Sequence, residues 1–238
     1  MQRQPAALAP FLSEQLLLSV AEELKLPLTQ IARKAEQLRL TGETDLSAIQ
    51  TTADNALKLL DSYILGVQLR LQPEQLAPES VSVASVLYDT GQQLDALAKS
   101  YGVALELSVT GRFGPVLAHR RGLQAALVSL GASLIEALPA QENPQLKLQL
   151  ATHRCRYGIV AGLYSETPSL TNQALQRGRQ LAGRSRQPLV NLTHTNGAGV
   201  FVADTILRAM NLRLRTSRHH RLYGLGAVMQ PNYQMQLI

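Results

Sequence analysis

The sequence predicts an α+β protein in which an N-terminal antiparallel helical hairpin precedes an α/β sandwich. Three observations carry that expectation. Between Leu12 and Leu38 an apolar residue returns every three or four positions (Leu12, Leu16, Val20, Leu24, Leu28, Ile31, Ala35, Leu38), the period of one helix face. A second stripe of the same period runs from Leu46 through Ile49, Ala53, Leu57, Leu60, Ile64 and Val67 to Leu71. Beyond residue 75 the pattern changes to short alternating runs between amphipathic ones, and Val103 to Val109 alternates most strictly.

Residues 1–10 hold two prolines and little pattern, and are expected to be a flexible lead-in. The first helix then runs to about Leu40 with Pro27 in its middle. Gly42 suits a helix C-terminal cap, and Thr44 or Asp45 can cap the next helix. Gln72-Pro73 ends that second helix, because the residue before a proline avoids the helical region. So short a connection makes a hairpin over residues 11–74, with apolar faces too long to satisfy each other alone. The expectation is a homodimer through residues 11–72, forming a four-helix bundle.

Leu76-Ala77-Pro78-Glu79 reads as a linker, which opens a second domain over 75–238. In it the pattern predicts a strand over Ser80–Val86, a helix over Leu87–Tyr101 closed by Gly102, and a strand over Val103–Val109. A short strand at Val116-Leu117 and a helix over Arg120–Leu138, stopped by Pro139, come next. Leu146–Ala151 and Gly158–Tyr164 read as paired strands, followed by a polar, Arg-rich connection over 165–196. A helix over Gly199–Met210 and strands within 212–216 and 226–237 complete the chain. The sum is a mixed layer of strands covered on one face by helices.

At 238 residues the chain can hold one large or two modest domains, each with its own core. A hydrophobic content of 45% excludes a disordered chain. The single cysteine, Cys155, excludes a disulfide framework and a cysteine-based zinc site. No apolar run approaches the roughly 18 residues of a membrane span, and MQRQPAALAP lacks a signal peptide's apolar centre, so the expected address is cytoplasmic. A net charge of +6 and a pI near 9.7 fit either an acidic partner or a solvated basic surface. Trp is absent and Phe numbers three, which argues against aromatic stacking on nucleic acid as the main activity.

One stretch of the first helix reads Glu22-Glu23-Leu24-Lys25-Leu26-Pro27-Leu28-Thr29. It resembles the box His-Glu-Leu-Arg-Thr-Pro-Leu-Thr of sensor histidine kinases, whose core is a dimerising hairpin followed by a GHKL-type ATPase domain. The resemblance extends from about Ser13 to the end of the chain. It makes Pro27 the helix-bending proline just after the phosphoacceptor, and it puts Glu22 at the phosphoacceptor position. At about 100° per residue Glu22 points away from the apolar stripe. A carboxylate cannot stand in for the neutral ring nitrogen that forms a transferable phosphoramidate.

The nucleotide-binding positions that the resemblance implies depart in the same direction. The family's pair of asparagines, which hold metal and phosphates, falls on Ser129 and Ser133, and its preceding acidic residue falls on His119. Serine is a poorer oxygen donor for Mg²⁺, and Glu136 lies almost a turn further on. The Asp-x-Gly-x-Gly box aligns with Ser165-Glu166-Thr167-Pro168-Ser169-Leu170, so the adenine-binding aspartate becomes Ser165, or Glu166 one residue on, and both glycines are gone. Gly197-Ala198-Gly199-Val200 keeps the form of the last glycine box, opening a helix whose amides can hold an anion. Gly224-x-Gly226-Ala227 resembles the closing turn before the last strand. All the lost residues serve phosphoryl transfer from ATP. The resemblance therefore implies a degenerate pseudo-histidine kinase, with neither ATP nor Mg²⁺ expected as cofactor and no catalytic residue.

A receiver domain of a response regulator, or a true kinase, is the partner this resemblance implies, engaged around Glu22, Leu26 and the N-terminal half of the second helix. Two alternatives stand beside the scaffold reading. One is a divergent ATP-binding protein that keeps nucleotide through Gly197 and Gly199. The other is a basic module binding nucleic acid or a transcription complex through Arg177, Arg179, Arg184 and Arg186, with the turn at 218–221. His219-His220 reads as part of that basic turn, and no histidine pair has metal-ligand spacing. Cys155 lies between Arg154 and Arg156, which favours its thiolate, though an ordinary strand residue explains it as well.

Overall fold

A computed structural model describes residues 24, 28–42, 46–71, 77–109, 111, 113–137, 146–166 and 197–232. The lead-in at 1–10, Glu22, Leu26, Pro27 and the four arginines between 177 and 186 lie outside the described residues.

Helix α1 covers 28–41 and helix α2 covers Ser47–Leu71, as the two apolar stripes predict. Gly42 ends α1 at φ 72°, its N–H reaching the carbonyl of Leu38 at 2.9 Å. That is a left-handed cap of the kind glycine favours. Leu38 is buried, whereas Leu28, Leu46, Leu57 and Ile64 of the same stripes are 59%, 61%, 58% and 47% exposed. Helix α2 packs against the helices of the second half, and Leu65 reaches their core.

The second half begins with β1 (Glu79–Val81), α3 (Val83–Ser100), β2 (Val103–Val109), β3 (Val116–Ala118) and α4 (Arg120–Ala137). It continues with β4 (Leu146–Cys155), β5 (Gly158–Ser165), α5 (Gly197–Ala209), β6 (Arg213–His219) and β7 (Leu222–Met229). Strands β1 and β3 form a small antiparallel pair. The main sheet has the order β2-β4-β5-β7-β6, with β2 and β4 parallel and every other neighbour antiparallel. Helices α3, α4 and α5 cover one face, and Leu148, Leu150, Leu163, Leu225 and Leu214 point into the core beneath them. This is the expected mixed layer with helices on one face.

Four local expectations are corrected. The strand predicted over Ser80–Val86 stops at Val81, and α3 begins at Val83. The Ser82 hydroxyl accepts a hydrogen bond from the N–H of Ser85 at 3.4 Å, a helix cap that overrides the local alternation. Val83, Val86, Leu87 and Leu94 then bury one helical face. Helix α5 starts at Gly197, so both glycines of that box lie in its first turn rather than ahead of it. Strands β6 and β7 are joined by His220-Arg221, with His220 at φ 53°, and the last strand ends at Met229 instead of running over 226–237. Residues 233–237 lie outside the described residues.

Gly224 and Gly226 are accordingly not a turn but the interior of β7, opposite Tyr164 and Gly162 of β5. A Cβ on Gly224 would run into the carbonyl oxygen of Leu163 and lie 2.8 Å from Tyr164 Cδ1. The absence of side chains at Gly162 and Gly224 leaves the space in which the Tyr164 ring lies, on the face away from the helices.

Candidate functional site

The positions that the resemblance assigns to nucleotide binding lie on α4, on α5 and at the end of β5, and α4 packs against both α5 and β5. Helix α4 starts at a firmly capped end. His119 Nδ1 accepts the N–H of Gly122 at 3.1 Å, and the N–H of Arg120 donates to Glu79 Oε1 at 3.1 Å. The Arg120 guanidinium then ties α4 to α3, bonding Ser85 Oγ and Asp89 Oδ2 at 2.7 Å each. His119 thus holds the helix end where the resemblance implies an acidic residue.

Further along α4, Ser129 is 0% and Ser133 1% exposed. Ser129 Oγ is buried and, among the described residues, has no hydrogen-bond partner. Ser165 closes β5 as a buried residue opposite Tyr223, and Glu166 follows it. Gly199 is buried in the first turn of α5, with Val200, Val202 and Ala203 packed behind it. Both hydroxyls lie in the packed interior, and among the described residues no three His, Cys, Asp or Glu side chains cluster.

Sequence reasoning missed a polar cluster on the face away from the helices. His219, expected in a solvated turn, is instead the buried last residue of β6, 5% exposed. Its ring stacks on His153 of β4 with centroids 5.3 Å apart, and Tyr164 lies 5.5 Å from it. His153 Nε2 is 3.2 Å from Ser217 Oγ, and its Nδ1 is 3.5 Å from the Tyr164 hydroxyl. Burial holds both imidazoles below their usual range, with repulsion from His220 adding to it. Burial also pushes the Tyr164 phenol up to about 12. Strand alternation was the available signal: Arg213, Arg215, Ser217 and His219 all fall on one side of β6.

Cys155 ends β4, and its sulfur accepts the N–H of Tyr157 at 3.3 Å. Among the described residues, no helix is long and apolar enough to cross a membrane.

No protein-family model and no curated protein sequence matches the chain. Solved structures do. The chain is similar to the histidine kinase AdeS of Acinetobacter baumannii, at 16% identity and a TM-score of 0.51, covering 88% of this chain and 98% of that one. A bacterial phosphotransferase matches with a TM-score of 0.51 at 10% identity, over 94% of this chain and 98% of that one. Full-length ShkA in complex with AMPPNP matches with a TM-score of 0.50 at 15% identity, over 92% of this chain and 46% of that one. At such identities the likeness is one of fold, and the fold is histidine-kinase-like.

Proposed function

We propose that this chain is a catalytically inactive, histidine-kinase-like protein that works as a dimeric scaffold or regulator of a two-component-type partner. The observation that carries the reading is the burial of Ser129, its hydroxyl without a partner among the described residues, at the position where the family places a metal-binding asparagine. Ser133, Ser165 and Glu22 support it, since each replaces a residue that phosphoryl transfer uses. A protein of this kind acts by binding one state of its partner better than another.

The dimer forms through residues 11–72, with α1 and α2 paired as an antiparallel hairpin. Four stripe residues, Leu28, Leu46, Leu57 and Ile64, are exposed in the single chain and supply the apolar surface that a second copy would cover. A receiver domain or a kinase docks beside Glu22 and Leu26.

Titration calorimetry with a non-hydrolysable ATP analogue and Mg²⁺ tests the loss of nucleotide chemistry. No heat of saturable binding is expected, and micromolar binding would instead support the divergent ATP-binding reading through the α5 N-terminus at Gly197 and Gly199. The Glu22→His variant separates the two losses. It is expected to take up no label from γ-labelled ATP, because a restored imidazole still lacks a nucleotide to attack.

A further inference from the structure

The end of the sheet that carries the β4–β5 turn gathers cations from two hairpins distant in sequence. Arg154 and Arg156 come from the first, Arg213 and Arg215 from the second, and all four are exposed. Arg154 lies on the helix side of β4 and Arg213 and Arg215 on the other side of β6, so that they ring the end of the sheet. Among the described residues none of the four makes an ion pair. The sequence explains why: no Asp or Glu occurs from Asn143 to Ser165, nor from Thr205 to Ile238. Glu106, on the far edge strand, is already bonded to Lys147 at 2.7 Å.

Aromatic rings order these guanidinium groups without neutralising them. Tyr157, 55% exposed, has the Arg215 guanidinium 4.9 Å and the Arg156 guanidinium 5.4 Å from its ring centroid. Arg154 lies 5.9 Å from the ring of Phe113. Such contacts hold a planar cation in place while leaving its N–H groups free for an external anion.

Beside them opens a cavity of about 460 Å³ lined by Tyr157, Arg213, Arg215, Asn211, Gln230 and Leu117, among others. Its walls are fixed by backbone. At the end of α5 the N–H of Leu212 reaches the carbonyl of Leu207 at 2.8 Å and that of Asn211 reaches Arg208 at 2.9 Å, with Asn211 at φ 58°. This closing motif turns the chain straight into β6, so that Arg213 starts the strand at the rim. The bridge from Val116 to Pro231 sets β3, and with it Leu117, against the opposite wall.

We propose that this surface binds single-stranded nucleic acid, with phosphates on the four arginines and a base stacked on the Tyr157–guanidinium column. Cations interleaved with an exposed ring suit a nucleotide, whose phosphate and base face need both. The amides of Asn211 and Gln230 each present a donor and an acceptor, as a base edge requires; an acidic peptide would use donors alone. The site lies at the opposite end of β5 from Ser165, and it stands independently of the pseudokinase reading.

Fluorescence anisotropy of the full chain with a labelled single-stranded oligonucleotide of about twelve nucleotides tests the proposal. Saturable binding is expected, with log K falling against log salt at a slope of about −3, from about −0.7 for each of four phosphates. Arg154→Ala/Arg156→Ala and Arg213→Ala/Arg215→Ala should each flatten that slope by about half. Tyr157→Ala should weaken binding on the order of tenfold at unchanged slope, while Tyr157→Phe retains it. All these residues are exposed, so thermal melting should show the variants folded. The proposal is overturned by absence of binding, or by double variants that bind like the parent. Loss of binding only when the four arginines between 177 and 186 become alanine also overturns it. So does a labelled polyglutamate that binds as tightly as the oligonucleotide.

Discussion

The imidazoles of His153 and His219 lie stacked at an interplanar angle of 26°, one from β4 and one from β6, although 66 residues separate them in the chain. Tyr164 packs against both rings, Ser217 faces His153, and the ring of His220 sits 4.4 Å from that of His219. Burial, with repulsion from His220, holds both imidazoles below the ordinary histidine value of 6.5. An unfolded chain binds protons at these positions near that value, while the folded chain resists them. Stability should therefore be full above about pH 6.5 and decline as the pH falls below it. Urea denaturation across that range checks it, and His153→Gln should flatten the decline. A midpoint that does not move with pH, or a variant with the parent's slope, would refute the assignment.

Where β5 meets β7, alanine in place of glycine has nowhere to go. Gly224→Ala drives a methyl group into the Leu163 carbonyl, and Gly162→Ala places one 2.7 Å from the carbonyl oxygen of Leu225. Backbone cannot step aside as a side chain can. Each substitution should cost on the order of 1–3 kcal/mol or more, read from chemical denaturation. Gly42→Ala is the control of a different kind: nothing lies within 4 Å, so its cost comes only from φ 72°.

The cap on α4 gives a separable measurement. His119→Ala removes the acceptor for the Gly122 N–H and should destabilise the fold by about 1 kcal/mol. His119→Asn or His119→Asp, both good caps, should recover most of that loss. If alanine costs nothing, the imidazole is not a cap.

Assembly follows from the exposed stripe. Light scattering should find about twice the 25.9 kDa chain mass at micromolar concentration. Leu57→Glu, placed where a leucine is 58% exposed in the single chain, should shift the protein to monomer without lowering its helix content. A parent protein that is already monomeric removes the basis of the bundle.

Much of the fold was legible locally. The 3.6-residue stripes marked α1 and α2, and strict alternation marked β2, because burying one face imposes that period on the sequence itself. The misread places share one cause. At Ser82 a hydroxyl reached the backbone three residues on, and at Gly224 the missing side chain answered to Leu163 across the sheet, which neighbouring residues do not reveal. The candidate site divides the same way. Ser129 and Ser133 were found by resemblance, but their burial was not readable from the residue types.

By itself the sequence determined the order of helices and strands, the absence of carboxylate side chains after Asp204, and the presence of Glu22, Ser129 and Ser133 at the positions that the resemblance assigns to His and Asn. Only the tertiary structure decided which strands lie side by side. That order sets His219 on His153 and brings Arg215 to the same Tyr157 ring as Arg156. The physical reason is that the sheet order, not separation along the chain, sets which strands are neighbours about 5 Å apart, and side chains of β4 and β6 then meet across β5 and β7. Period is a property of a segment, whereas a neighbour across the sheet is a property of the fold.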